Sequence, residues 1–123
     1  MVELCVLYDK LRFEEKSIYD KALKKGIKVQ VTDAKNITVT TDSKRKELAL
    51  GDVILQRSIS HFRGLYLTSC LEFLGFPVIN KFKVGETCGN KLLTSLTLAN
   101  TKCPLLKPTL LSVQRLQWKP LAV

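Results

Sequence analysis

Apolar residues along this chain fall into short blocks separated by polar turns, and the blocks alternate between two spacings. Glu3–Tyr8 (ELCVLY) is a near-continuous apolar run closed by Asp9, the pattern of a strand covered on both faces and therefore of a parallel strand inside a sheet. From Arg12 to Lys25 the spacing lengthens: Ile18, Tyr19, Ala22 and Leu23 form one stripe, and Gly26 stands where a left-handed helix stop is expected. Glu14 and Glu15 in the first turn and Lys24 and Lys25 in the last complement the helix dipole, a structural role that suffices for all four. Lys28–Thr32 (KVQVT) alternates and is β-branched, which predicts a second strand and completes a βαβ unit.

The next segment is less regular. Ile37–Thr41 (ITVTT) predicts an extra edge strand or hairpin arm, and Asp42–Glu47 a charged, exposed turn. Val53–Leu55 reads as the next parallel strand, followed by a helix from Phe62 to Leu74 with Leu67, Cys70, Leu71 and Leu74 facing inward and a stop at Gly75. Pro77–Asn80 predicts a short strand. Gly89 and Asn90 open a last helix, Lys91 to Ala99, expected to bury Leu92, Leu93, Leu96 and Ala99. Alternating strands and helices predict an α/β fold, a Rossmann-like open, mainly parallel sheet flanked by helices.

Composition narrows the class. With 123 residues, 46% of them hydrophobic, the chain has room for one domain with a real core. No apolar run reaches the ~18 residues needed to cross a bilayer and the amino terminus lacks a signal pattern, so the expectation is a cytoplasmic protein with no membrane contact. Cys5, Cys70, Cys88 and Cys103 form no CxxC pair and His61 is the only histidine, which argues against a zinc cluster, a thioredoxin-like site or any multi-histidine metal site. Cys5 and Cys70 are expected to be buried as small hydrophobes.

The net charge of +9, from 20 Lys and Arg against 11 Asp and Glu, favours encounter with acidic partners. The lysines are dispersed and no aromatic platform interleaves with them, so nucleic acid is disfavoured against a solvated basic face or an acidic protein partner. Tyr8-Asp9-Lys10 stands where a GxGxxG fingerprint would follow the first strand, and no GxxxxGK[ST] occurs, so the chain has no self-contained nucleotide cradle.

Candidate chemistry gathers where the third strand meets its helix. Arg57, Ser58, Ser60, His61 and Arg63 stand within one turn, and arginine forks suit carboxylate and phosphate. Taken alone, the turn reads equally as serine caps beside surface arginines. Lys91 in a first helical turn opposes the dipole, a conflict that a bound anion would remove.

Arg57–Leu65 (RSISHFRGL), with Gly75–Asn80 (GFPVIN) and Glu86–Lys91 (ETCGNK), resembles the amino-terminal part of the ATP-grasp ligases of the LysX/RimK group, and most of all the LysX branch. The likeness runs from about Leu4 to about Leu111. It implies a pre-ATP-grasp domain over residues 1–111 and a divergent tail over 112–123, with the ATP-grasp central and C-terminal domains absent from the chain. It implies ATP-dependent joining of 2-aminoadipate or glutamate to the C-terminal glutamate of an acidic LysW-type carrier protein, in lysine or arginine biosynthesis. Arg57, Ser58, Ser60, Arg63 and Asn80 would then lie on the substrate and carrier side, and Lys91 would contact the nucleotide. In Gly89-Asn90-Lys91 asparagine replaces the family's aspartate, which keeps the cap and loses a charge. His61 stands where the family varies, so it receives no general-base role. ATP and Mg2+ belong to the full-length family; the expectation for this chain is no stable cofactor, no catalytic residue and no turnover alone. Its partner would be the carrier or a separate ATP-grasp subunit, and the apolar tail with Trp118 suggests a homodimer. The competing reading is a non-catalytic, Rossmann-like protein-binding module derived from such a ligase.

Overall fold

The first apolar run becomes the inside of a four-stranded parallel sheet. In the computed structural model, which describes residues 1–101, β1 (Glu3–Tyr8) pairs in parallel with β2 (Lys28–Asp33) on one side and β3 (Val53–Gln56) on the other. β4 (Val78–Ile79) extends the sheet beyond β3, giving the order β2-β1-β3-β4. Cys5, Val6 and Leu7 are fully buried, as an interior strand requires. Helix α1 (Phe13–Lys24) joins β1 to β2, and α2 (His61–Phe73) joins β3 to β4. Cys5, Leu7, Leu50, Ile54, Leu71, Phe76 and Val78 form the core between sheet and α2. The described residues divide into two units, Met1–Gly85 and a second that begins at Glu86. The fold class read from the sequence holds.

Several elements depart from the sequence reading. Ile37–Thr41 is not a strand: Ala34–Asn36 and Arg45–Glu47 are short 3-10 turns, and the Thr40 amide is held by Ser43 Oγ at 2.9 Å in a local turn. Alternation suited a strand there, but side-chain hydrogen bonding to the backbone took the segment instead. The charged stretch after it is pinned rather than loose. Arg45 donates to the carbonyls of Gly75 at 2.6 Å and Asp52 at 3.2 Å, and lies over the Phe76 ring.

On α2 the fully buried positions are Gly64, Thr68 and Leu71; Leu67 and Leu74 are half-buried against the core and Cys70 is exposed. Between β4 and the last helix the chain forms a further helix, α3 (Phe82–Gly89). Helix α4 (Lys91–Asn100) begins where expected, capped by Asn90, whose side chain accepts from the Leu92 and Leu93 amides. Leu92, Leu93, Leu96 and Ala99 are nevertheless exposed. Periodicity marks a face that can be buried and says nothing of what would cover it. The 112–123 tail, Trp118 and Cys103 lie outside the described residues. Among the described residues no helix is long and apolar enough to cross a membrane, and no group of three His, Cys, Asp or Glu side chains could hold a metal ion.

One tight fit fastens the start of the sheet. Glu3 N donates to Asp52 Oδ2 at 2.8 Å and Asp52 N returns to the Glu3 carbonyl at 2.9 Å, so Gly51 lies directly against β1. Gly51 has φ of +72°, and a Cβ there would come within 2.9 Å of the Glu3 carbonyl oxygen. Gly26 has a similar φ of +70° with open space around it. Gly51→Ala should therefore cost about 2 kcal/mol, and Gly26→Ala about 1 kcal/mol from the backbone alone. Urea unfolding of the two variants reads the difference, and equal losses would mean that the close approach carries no energy.

Candidate functional site

The strand order reverses between β1 and β3: the chain leaves β1 toward β2 on one side and leaves β3 toward β4 on the other. In open parallel sheets the carboxyl ends of such a strand pair form the ligand crevice. Here Arg57 N continues the ladder onto the Leu7 carbonyl at 2.8 Å, so the residues just after the two strands meet.

Two acids and three arginines occupy this edge. Asp9 Oδ1 accepts from the Ile59 amide at 2.8 Å, and Oδ2 accepts from the Ser60 amide at 2.9 Å and from Arg63 Nη1 at 3.2 Å. Burial pushes the Asp9 carboxyl up, but the Ile59 and Ser60 amides and Arg63 outweigh it and hold the group below the usual carboxylate range. Glu15, in the first turn of α1, is fully buried. It receives Arg12 through Nε at 3.2 Å, Nη2 at 2.8 Å and the backbone amide at 3.1 Å, and Arg57 through Nε at 3.2 Å. The Arg12 hydrogen bond is the main cause of its pKa falling to about 2, against the opposing effect of burial.

The site residues read from the sequence therefore divide. Arg57, Ser58, Ser60 and Arg63 do gather at one sheet edge, but Arg57 and Arg63 already hold internal carboxylates. Serine capping of α2 gives way: Ser60 occupies the N-cap without a side-chain bond, and Asp9 fixes the backbone just ahead of the helix through the Ile59 and Ser60 amides. An ionised carboxylate is the stronger acceptor, and the pairing of β1 with β3 delivers it to the helix start. Ser58 instead donates its hydroxyl to Gln56 Oε1 at 2.8 Å.

Beside this network, at the carboxyl ends of β3 and β4, lies an open cavity of about 230 Å3 lined chiefly by Gln56, Ser58, His61, Thr68, Asn80 and Lys81. Ile59, Leu65 and Phe82 supply its apolar wall, and Gly64 and Gly85 leave room for it. Gln56 forms the floor, donating through Nε2 to the Gly64 carbonyl and to Thr68 Oγ1, each at 3.4 Å, and accepting from Ser58. Asn80 and Lys81 are exposed at its rim, where the Ile79–Asn80 peptide is cis. Lys91, in the second unit, is exposed at the start of α4.

Sequence reasoning missed Asp9, Glu15 and Lys81. Glu15 carries more than the dipole role assigned to it, since it ties α1 to the β3–α2 turn. The signal for both acids was available: parallel neighbours bring their carboxyl ends together, so acids following β1 fall opposite arginines following β3.

Residues 4–87 match the family model described as LysX preATP-grasp domain. The alpha-aminoadipate–LysW ligase LysX of Saccharolobus solfataricus is 30% identical over 93 residues, covering 76% of this chain and 34% of that protein. LysX of Sulfurisphaera tokodaii is 36% identical over 93 residues, covering 74% of this chain and 32% of the relative. The glutamate–LysW ligase ArgX of the same organism is 37% identical, covering 76% and 32%. The chain thus spans about a third of the length of these relatives.

Proposed function

The chain belongs to the LysX preATP-grasp domain family, and from that premise we propose that it serves as the amino-terminal domain of an ATP-dependent carboxylate–amine ligase. Its substrates would be 2-aminoadipate or glutamate and the C-terminal glutamate of an acidic LysW-type carrier, in lysine or arginine biosynthesis. The observation that carries the reading is the coincidence of the family match with the reversal edge. Arg57, Ser58, Ser60 and Arg63 gather there, and Asn80 follows the next strand on the same side of the sheet.

In this reading the domain shapes the substrate and carrier side of a cleft. The Asp9–Arg63 and Glu15–Arg57 pairs hold the β3–α2 turn in place, while the net charge of +9 draws an acidic carrier toward it. ATP, when bound, would supply the activation of the carboxylate, and Lys91 is the residue of this chain that would meet the nucleotide. The described residues offer no cluster suited to a magnesium ion. ATP-grasp parts would complete the site, so the polypeptide alone should not turn over, and it functions in the cytoplasm.

A mixing experiment tests this. The chain, a LysW-type carrier, glutamate or 2-aminoadipate and MgATP are combined with and without the central and C-terminal portion of a LysX relative. Carrier modification read by mass spectrometry should appear only when that portion is present, and Lys91→Ala should reduce it. No modification in the complete mixture, with the carrier still bound tightly by the chain, would favour a non-catalytic protein-binding module instead.

A further inference from the structure

We propose that the cavity at the carboxyl ends of β3 and β4 receives the carboxylate end of a glutamate-sized acidic residue, with Lys81 as its counter-ion and Asn80 as its polar contact. This rests on the ligase reading and moves the anion-receiving role away from the two arginines. Arg57 and Arg63 each hold an internal acid, Glu15 at 3.2 Å and Asp9 at 3.2 Å. The Ile59 and Ser60 amides, just ahead of α2, are likewise taken by Asp9. The two acids there already offset two of the three arginine charges.

Lys81 differs. It is exposed, lines the cavity, and has no ion-pair partner among the described residues. Asn80 precedes it on the same rim and has no side-chain hydrogen bond among the described residues, so its amide is available to a ligand. About 230 Å3 corresponds to roughly seven or eight waters at ~30 Å3 each, room for the side chain and carboxylate of a five- or six-carbon amino acid. The apolar wall of Ile59, Leu65 and Phe82 accommodates methylenes, which an inorganic anion lacks.

The same chemistry could arrive as a free amino acid or as the last residue of a carrier. Amide shifts of the full chain are followed by NMR during titration with glutarate, glutamate, 2-aminoadipate, a short peptide ending in glutamate, neutral glutaramide and inorganic phosphate. Glutarate should shift the Ser58, Asn80 and Lys81 amides, with glutaramide and phosphate weaker by about tenfold or more. Lys81→Gln should weaken glutarate binding by about tenfold to a hundredfold. Lys16→Gln, the same charge change on the exposed side of α1, should leave it unaltered. Tighter binding of the peptide than of free glutamate assigns the ligand to a carrier terminus, and the reverse assigns it to the amino acid.

Glutarate binding that is unchanged in Lys81→Gln, matched by phosphate, or centred elsewhere overturns the proposal. Its failure and that of the ligase reading are separable. If Lys81→Gln supports full carrier modification in the mixture, the cavity assignment falls and the reading stands. If glutarate binds through Lys81 while the complete mixture stays inactive, the reading falls and the site remains.

Discussion

Glu15→Ala is expected to lower the unfolding free energy by about 3–5 kcal/mol at neutral pH, the typical cost of removing one partner from a buried ion pair. The carboxylate is fully buried and collects four donors, three from Arg12 and one from Arg57. Without it two guanidinium groups face each other across a vacated space, and α1 loses its tie to the β3–α2 turn. Glu15→Gln keeps the shape but sets an amide group among donors, so about 2 kcal/mol is expected from it.

The pH dependence follows from the carboxyl being held down to about 2, against an ordinary value near 4.5. A group with a lowered native pKa stabilises the fold fully above its unfolded value, and that contribution disappears as pH falls toward the native one. The wild type should therefore lose about 3 kcal/mol between pH ~4.5 and pH ~2 from this group, in line with the mutational figure. Glu15→Ala has no such contribution to lose. Urea titrations followed by far-UV circular dichroism at pH 7 and pH 3 read both effects: the gap between the proteins is wide at the first and narrower at the second. A gap below about 1 kcal/mol at pH 7 would mean that the arginines find equivalent partners in water.

That network also marks how far the sequence carries. The strands that run into the sheet interior were legible because burial on both faces leaves an unbroken apolar run such as Leu4–Leu7, which no surface strand tolerates. The β3–α2 turn was legible as chemistry because arginine, serine and histidine crowd into it. What those arginines hold was not legible, because Asp9 and Glu15 stand some 50 and 40 residues earlier and are joined to them only by strand order. Asp9 looked like a strand terminator and Glu15 like a dipole partner, and both descriptions remain true. Ile37–Thr41 failed for the opposite reason: its alternation was real, but no sheet edge reached it and a Thr40–Ser43 turn did. Lys81 carried no motif at all, and only the cavity beside it makes it a candidate.

Helix α2 provides the second large effect, because its sequence admits more than one buried face. Leu67, Cys70, Leu71 and Leu74 make one apolar stripe; the structure turns the helix so that Gly64, Thr68 and Leu71 face the sheet. Leu71 belongs to both faces and is fully buried in the core with Leu7, Ile54 and Val78. Cys70, the preceding residue and about 100° around the axis, is exposed. Leu71→Ala should cost about 2–5 kcal/mol, from lost transfer energy and the cavity left behind, whereas Cys70→Ala should stay within about 0.5 kcal/mol. For a domain of this size each kcal/mol moves the melting temperature by about 4–8 °C, so the first variant should melt lower by about 8 °C or more and the second almost unchanged. The consequence reaches the site, since α2 carries the Ser60 amide that Asp9 holds and the Gly64 carbonyl that orients Gln56. In Leu71→Ala the amide protons of Ile59 and Ser60 should therefore exchange faster than in wild type, as the anchored start of the helix opens with its core. A Cys70→Ala loss equal to that of Leu71→Ala would place the thiol against the sheet and rotate the helix away from the cavity that Thr68 and Gly64 line.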